Sequence, residues 1–250
     1  MKPISVANLR LGSARQLADA HHAIVSCERC PRLRSYCQRV AVEKKRAYRE
    51  DTYWGRPVPG FGDPSARLLL LGLAPAAHGA NRTGRVFTGD GTGGSGDFLM
   101  SALHRTGFSN LTTSSHPDDG LTLTDAYIAA AVRCAPPDNK PLPEEITRCL
   151  DHLELEVSAL PNVRVVVALG KIAFDAWLQL IRGRLQRDPS YRRPQFGHGV
   201  VVNFEHQRLT TNYRLPTLVG CYHPSRQNTN TGKLTARMMV DVFRKARKLL

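Results

Sequence analysis

The chain has 250 residues, of which 35 are Lys or Arg and 21 are Asp or Glu, so its formal net charge is +14 at pH 7. With 42% hydrophobic and 22% charged residues, the composition excludes an intrinsically disordered chain, and its 20 Gly and 16 Pro show no collagen-like period. The excess of positive charge favours a polyanionic partner, of which nucleic acid is the usual one.

No segment has the composition of a membrane span or a secretory signal. The longest apolar runs lie around residues 68–77 and 163–169, well short of the roughly 18 residues that a membrane helix needs. The start, Met1 to Val6, lacks an apolar stretch followed by a small-residue cleavage site. We therefore expect a cytoplasmic protein with one domain spanning residues 1–250 and no membrane partner. In that compartment its six cysteines are expected to be metal ligands or buried thiols rather than disulfides.

Short apolar runs alternate with amphipathic stretches along the chain, which predicts alternating strands and helices. A helix is predicted over residues 14–26, and the basic stretch that follows, through residue 50, has no clear periodicity. The later predicted elements are, in order, a strand at 67–72, an irregular loop at 76–96, a helix at 97–105, a strand at 127–132, a helix at 143–160, a strand at 163–170, a helix at 172–184, a strand at 215–221 and a helix at 233–250. This order predicts an α/β fold with three α/β/α layers and a central, mostly parallel four-stranded sheet. The functional loops should lie beyond the carboxyl ends of its strands.

Two glycine-containing segments resemble nucleotide-binding motifs but lack their context. The run at residues 91–96 resembles a phosphate-binding loop, and residues 231–235 resemble the end of a P-loop. Neither follows a strand at the required spacing, so we predict that the protein is not an NTPase. We expect the glycine run to be a flexible surface loop.

Four of the cysteines have a distribution typical of a metal centre. Cys27 and Cys30 form a CxxC pair, whose short spacer lets two thiolates reach one centre. Cys134 and Cys149 lie much later, and by themselves they are equally compatible with small buried hydrophobic residues. Together the four predict a site for zinc or an iron–sulfur cluster, between which the spacing does not decide. The remaining cysteines are predicted to have no ligand role: Cys37 and Cys221.

Two loop segments follow the first and last predicted strands. The first begins with GLAPAAHG at residues 72–79 and continues with NRTGRVFTGD at 81–90, and the second is HPSRQN at 223–228. With the four cysteines, these motifs resemble the uracil-DNA glycosylase superfamily. The resemblance is strongest to its family 5, the type-B enzymes that contain an iron–sulfur cluster, and runs from residue 27 to the C-terminal helix.

The resemblance implies a [4Fe-4S] cluster rather than zinc, held by Cys27, Cys30, Cys134 and Cys149. It implies a monofunctional DNA glycosylase that hydrolyses the N-glycosidic bond of uracil and other deaminated bases, in base excision repair. The partner is then DNA containing deaminated bases, expected to be double-stranded, and we expect the protein to be a monomer. The alternative is a non-catalytic iron–sulfur or zinc module that binds nucleic acid without releasing a base.

The first loop is expected to hold a flipped base. Backbone N–H groups among its small residues can bind base carbonyls, and Phe87 offers a face for stacking, although it is also compatible with a cover for the apolar underside of the loop. Other branches of the superfamily carry an Asn at the position of Ala130, which pairs with the pyrimidine edge. Its replacement by Ala predicts broad specificity that includes hypoxanthine. The predicted base-binding residues are Gly72, Ala74, Pro75, Ala76, His78, Phe87 and Ala130.

Asp90 and His223 are the predicted catalytic residues. In other branches an acid stands at the position of Leu73 or Ala74, both of which are apolar here, and Asp90 is the nearest acid in the same loop. We assign Asp90 to orienting water or stabilising the sugar cation, with a turn or helix-capping role as the alternative. His223 is assigned to donating to the base O2 or lying close to the sugar, with a hydrogen-bonded core histidine as the alternative. The predicted phosphate contacts are Asn81, Arg82, Arg85, Ser225, Arg226 and Asn228.

Overall fold

The apolar runs predicted as strands pair into one sheet in the computed structural model, which describes residues 6–182, 192–204 and 215–250. The strands are β1 (Phe61–Gly62), β2 (Leu68–Gly72), β3 (Ala126–Ala130), β4 (Val165–Leu169), β5 (Val201–Val202) and β6 (Thr217–Cys221). Their order across the sheet is β1-β3-β2-β4-β6-β5. The four inner strands are parallel, as predicted, and β1 and β5 are antiparallel at the edges. The described sheet therefore has six strands rather than four, because two-residue edge strands are too short to show alternation in the sequence.

The helices cover both faces of this sheet. They are α1 (Val6–Val25), α2 (Pro31–Glu43), α3 (Ala80–Thr83), α4 (Ser95–Arg105), α5 (Pro143–Ser158), α6 (Lys171–Ile181), α7 (Arg226–Asn230) and α8 (Ala236–Lys248), with 3₁₀ turns at Arg46–Tyr48 and Pro137–Asn139. The basic stretch without clear periodicity contains α2, which begins at a proline, the residue that suits a first helical position. The loop predicted as irregular contains the one-turn helix α3. The predicted end of α6, near residue 184, lies outside the described residues.

Side chains that alternate along the inner strands build a core on each side of the sheet. Leu68 and Leu70 of β2 belong to an apolar cluster shared with α4 and α8. Leu69 and Leu71, which point to the opposite side, belong to a second cluster shared with α5 and α6. The predicted three-layer arrangement is thus confirmed. In the described part of the chain, no helix combines the length and the apolar character needed to cross a membrane.

The register of the parallel strands decides where the functional loops emerge. Gly72 at the end of β2 pairs with Ala130 at the end of β3, and Leu169 of β4 pairs with Cys221 of β6. All four strands therefore end at the same edge of the sheet, and the loops after β2, β3 and β6 leave from that edge.

Candidate active site

The loop that follows β2 brings an aromatic ring back to the end of that strand. Phe87 lies so close to Gly72 that a Cβ on Gly72 would come within 2.8 Å of Phe87 Cε2. Phe87 has a φ of +52°, a left-handed conformation that costs a non-glycine residue on the order of 1 kcal/mol. Ala130, the partner of Gly72 in the sheet, is buried. Three predicted base-binding residues, Gly72, Phe87 and Ala130, therefore lie together at the loop-bearing edge.

Asp90 ends the same loop and packs against its beginning. A Cβ on Gly79 would lie 1.9 Å from Asp90 Oδ1, so only glycine leaves room for the carboxyl group there. In the glycine run, residues 91–93 are exposed, but Gly94 and Gly96 are buried, and the backbone N–H of Gly96 hydrogen-bonds to Asp90. The expected surface loop is thus only partly exposed, because its second half packs beneath the acid.

Burial controls the charge of Asp90. Removal from solvent raises the pKa of its carboxyl group to about 6, although the N–H of Gly96 and the positive charge of Arg226 both favour the carboxylate. A proton acceptor works best when its pKa lies near the working pH. Asp90 is therefore ionised at pH 7 yet able to accept a proton, which is what a water-activating group requires.

The small residues after β2 leave backbone donors without partners. The N–H groups of Ala74, Ala76 and His78 make no hydrogen bond to any residue in the described part of the chain. These three residues are half-buried, whereas Pro75 between them is buried. The ring of His78 is held by Tyr53, whose hydroxyl lies 3.1 Å from His78 Nδ1. The segment thus offers several N–H groups that can bind a carbonyl oxygen or a developing negative charge.

The loop after β6 places an imidazole ring beside Phe87. The ring centroids of His223 and Phe87 lie 6.0 Å apart, and the two ring planes differ by 30°. Asn228 Nδ2 donates to the His223 carbonyl oxygen at 2.8 Å and holds the backbone of the loop. Burial lowers the pKa of His223 to about 4, so its ring is neutral at pH 7 and carries one N–H donor. Within the described ranges neither ring nitrogen has a hydrogen-bond partner, which leaves that donor available to a ligand.

Two of the three phosphate contacts predicted in this loop organise the loop itself. Ser225 Oγ caps α7 by accepting from the Asn228 backbone N–H at 3.3 Å. The Asn228 side chain donates to the His223 carbonyl oxygen. Arg226 is exposed, and its Nη2 donates to the Asp90 carbonyl oxygen at 3.4 Å. Arg226 therefore joins the two loops while keeping a cation at the mouth of the site.

Asn81 and Arg82, predicted to contact phosphates, have their side chains engaged within the protein. Asn81 is 1% exposed, and its Nδ2 donates to the Cys37 carbonyl oxygen at 3.3 Å. Arg82 spans its own loop, donating to the carbonyl oxygens of His78 and Gly89 at 2.9 and 2.8 Å. Their positions disagree with phosphate contact, because both side chains satisfy backbone groups that fix the shape of the loop.

Arg85 also departs from its predicted role. It is 6% exposed, and its Nη2 donates to both carboxylate oxygens of Asp119 at 2.8 Å. Its Nε donates to Thr88 Oγ1 and its Nη1 to the Pro117 carbonyl oxygen, each at 2.8 Å. A guanidinium with this set of partners anchors the loop from inside and cannot reach a phosphate from this position.

The four predicted ligand cysteines line one cavity. Cys27 and Cys30 lie between α1 and α2, Cys134 follows β3, and Cys149 lies on α5. The apolar lining residues are Leu33, Pro57 and Val132. The basic lining residues are Arg29, Arg34, Arg133, Arg148 and His152. Among the residues that the structure describes, no three His, Cys, Asp or Glu side chains are grouped closely enough to hold a single metal ion.

The cysteine cavity adjoins the base-binding loop. Ala74 and Ala77 pack against the apolar cluster that contains Cys134 and Cys149. Cys37 is buried in that cluster but does not line the cavity. The cavity is therefore joined by packing to the loop that contains the unpaired backbone N–H groups. The two cysteines predicted to have no ligand role are both buried: Cys37 and Cys221.

Arg133 and Tyr53 lie at the site but are not among the residues predicted from the sequence. Arg133 is 1% exposed at the cavity wall, and Tyr53 fixes the His78 ring. A position next to a ligand cysteine is the only signal in the sequence for Arg133. For Tyr53 the signal is the aromatic pair with Trp54 in a stretch rich in Gly and Pro.

Comparison with known proteins identifies the family of the chain. Residues 59–247 match the model of the uracil DNA glycosylase superfamily. The chain is 47% identical to a type-5 uracil-DNA glycosylase of Mycobacterium leprae over 95% of this chain and 97% of that protein. It is 48% identical to the type-5 uracil-DNA glycosylase of Thermus thermophilus over 90% of this chain and 94% of that protein, and 43% identical to that of Pyrobaculum aerophilum over 91% of each. The family match covers most of the chain and includes both loops that form the candidate site, and the chain therefore belongs to the uracil DNA glycosylase superfamily.

Proposed function

We propose that the protein is a monofunctional DNA glycosylase that hydrolyses the N-glycosidic bond of uracil and other deaminated bases in double-stranded DNA. The observation that carries this proposal is the meeting of Asp90, Phe87 and His223 at one edge of the sheet, with the pKa of Asp90 raised to about 6 by burial. The names of the similar proteins support uracil as a substrate. A net charge of +14 supports DNA as the partner, and we propose that a cytoplasmic monomer acts on it in base excision repair.

On the base side, the protein binds the extruded nucleobase and stabilises it as it leaves. Phe87 provides a stacking face, and the N–H groups of Ala74, Ala76 and His78 bind its carbonyl oxygens. The neutral ring of His223 donates one hydrogen bond to the base O2 as negative charge develops there. A neutral donor suits this role because it stabilises the base anion without requiring a buried cation.

On the sugar side, Asp90 completes the hydrolysis. Its carboxylate stabilises the positive charge that develops on the sugar, orients a water molecule and accepts the proton that the water releases. Arg226 binds a neighbouring phosphate, because it combines exposure with a position beside Asp90.

Uracil and hypoxanthine excision should both be detectable with one labelled duplex for each base. Ala130 offers no side-chain hydrogen bond to a base edge, so the pocket lacks a polar group that would reject the larger purine. We expect both substrates to yield abasic sites that break only after alkali treatment, with Asp90→Asn as the control for contaminating glycosylases. Hypoxanthine left intact would contradict the broad specificity, and strand breaks without alkali would contradict the monofunctional mechanism. Salt-dependent DNA binding without any abasic product would favour the non-catalytic module.

We further propose that Cys27, Cys30, Cys134 and Cys149 hold a [4Fe-4S] cluster. The fit rests on four thiols, the preferred ligands of such clusters, around one partly apolar cavity. Held by these four cysteines, a cluster would join the segment between α1 and α2 to the end of β3 and to α5. Through Ala74 and Ala77 it also supports the loop that binds the base.

Replacement of Cys27 or Cys149 by Ser should remove iron, sulfide and broad visible absorption from the purified protein. Serine lacks the soft sulfur donor that iron–sulfur clusters require. Cys221→Ser is the matched control, because Cys221 is a buried cysteine that does not line the cavity. Iron and sulfide analysis with visible spectroscopy decides the outcome. Zinc in place of iron in the wild type would contradict the iron–sulfur cluster, and equal iron loss in Cys221→Ser would contradict the ligand set.

A further inference from the structure

Arg133 is fixed at the wall of the cysteine cavity by its backbone. Its N–H donates to Cys149 Sγ at 3.3 Å, and its carbonyl oxygen accepts from the Val58 N–H at 2.7 Å. Its side chain is 1% exposed. Arg133 thus lines the same cavity as the four cysteines, and its guanidinium is held away from solvent.

Protein groups pair with only part of the Arg133 guanidinium. Arg133 Nη2 lies 2.6 Å from Glu156 Oε2, which balances the charge. The other carboxylate oxygen of Glu156 accepts from the Gly60 N–H at 2.7 Å and the Tyr127 hydroxyl at 3.2 Å. Arg133 Nε and Nη1 have no hydrogen-bond partner among the described residues. Buried donors are almost always paired, so these N–H groups indicate an acceptor that the described residues do not supply.

His152 gives the same indication independently. It lies on α5 three residues after Cys149, is 6% exposed and lines the same cavity. Neither of its ring nitrogens has a hydrogen-bond partner within the described part of the chain. Two basic side chains from different elements thus leave buried donors unpaired at one site.

Two of the other three arginines at the cavity differ in this respect, and the third, Arg148, donates a hydrogen bond to the Cys30 side chain. Arg29 Nε donates to Cys27 Sγ at 3.4 Å, and its Nη1 pairs with Asp151 at 2.7 Å. Arg34 Nε donates to both carboxylate oxygens of Glu28 at 3.1 Å. These two guanidinium groups are held by protein acids, whereas Arg133 Nε and Nη1 have no such acceptor among the described residues.

We infer that Arg133 and His152 are positioning residues that donate hydrogen bonds to the sulfur atoms of an anionic iron–sulfur cluster held by the four cysteines. This inference rests on the cluster proposed above. Thiolate and sulfide sulfur atoms accept hydrogen bonds, and donors to them stabilise negative charge on the cluster, raise its reduction potential and strengthen its retention.

His152→Leu provides the sharper test because leucine fills a similar buried volume without donors. We expect a more negative reduction potential and loss of iron to a chelator on the order of tenfold faster than in the wild type. His152→Gln, which keeps an N–H donor, should restore much of the retention. His104→Leu is the matched control, since His104 is exposed near the end of α4. Potentials are measured by spectroelectrochemical titration, and iron loss is followed by visible absorbance.

A paired substitution tests Arg133 without leaving a buried charge. Arg133→Met combined with Glu156→Gln removes both charges of the ion pair. Glu156→Gln alone keeps the arginine donors but leaves the guanidinium without its countercharge, so it is compared only if it folds. We expect only the paired variant to show the negative shift in potential and the faster iron loss. Circular dichroism confirms folding, and the His152 series keeps the inference testable if the paired variant does not fold.

The possible outcomes separate the inference from the cluster on which it rests. A wild-type protein without iron and sulfide after anaerobic reconstitution would overturn both the proposed cofactor and this inference. A wild-type protein that holds the cluster, with His152→Leu and the paired variant matching its potential and iron-loss rate, would overturn the inference alone. In that case both side chains would have a packing role only.

Discussion

Asp90→Asn is expected to slow uracil excision by roughly 10²–10⁴-fold, the contribution typical of a positioned proton acceptor. Asparagine has nearly the same shape, so the contacts with Gly79 and Gly96 can be kept while the acceptor is lost. The substitution also removes a buried charge, so we expect no loss of folding stability at pH 7. Single-turnover kinetics on a uracil-containing duplex measure the effect on the chemical step.

The same residue predicts the pH dependence of the wild-type enzyme. Because burial raises the pKa of Asp90 to about 6, the active carboxylate is a minority at pH 5 and exceeds the acid by about ten to one at pH 7. The single-turnover rate should therefore rise through pH 6 and level off near pH 7. His223 adds no second change of rate between pH 5 and 7, since its pKa is lowered to about 4 and its ring stays neutral.

Asp118→Asn is the matched control because it removes the same charge from an exposed carboxylate, 88% accessible at its side chain. Asp118→Asn should retain both the wild-type rate and the rise of the rate through pH 6. The residual activity of Asp90→Asn should not rise through pH 6. The affinity of this variant for DNA should not fall, since a negative charge beside the phosphates has been removed. A wild-type rate, or an unchanged rise of the rate through pH 6 in Asp90→Asn, would exclude Asp90 as the proton acceptor.

The parallel core of the fold could be predicted because its signal is local. Each inner strand is a short apolar run with both faces buried, and a loop of Gly, Pro or polar residues follows it. Parallel pairing then places the carboxyl ends at one edge, and so the loops that contain Asp90 and His223 could be expected to meet. The two-residue edge strands could not be predicted, because they form only where an existing sheet offers unpaired backbone groups.

The functions of individual charged residues were harder to predict, because burial and distant partners are not visible in a local motif. Arg82 and Arg85 flank the base-binding loop and look like phosphate contacts in the sequence. Their acidic partners, Asp51 and Asp119, lie 31 and 34 residues away. Arg226 stays exposed beside Asp90, whose carbonyl oxygen accepts from its Nη2, and its contact with a phosphate stays a prediction.

Arg85→Ala is expected to lower the free energy of unfolding by about 3–5 kcal/mol, because it leaves the carboxylate of Asp119 without its countercharge. Burial alone would raise the pKa of Asp119, but Arg85 and backbone N–H groups outweigh that effect and hold it below its usual value. A depressed carboxyl pKa stabilises the fold above the unfolded-state pKa, and this stabilisation is lost as the pH falls through the folded-state value. The interaction is therefore fully present at pH 7, where urea unfolding should be measured.

Arg226→Ala, compared with Arg85→Ala, distinguishes an arginine that contacts phosphate from one that anchors the loop. The guanidinium of Arg226 is exposed, so unfolding should change by no more than about 0.5 kcal/mol, while DNA binding weakens and the slope of its salt dependence falls by about one. Arg85→Ala should show the reverse pattern: large destabilisation, and an unchanged salt slope below its unfolding transition. If Arg85→Ala instead kept its stability and lost the salt slope, the guanidinium would have to leave Asp119 for a phosphate when DNA binds. The loop that ends in Asp90 would then change conformation when DNA binds, rather than being preorganised for the substrate.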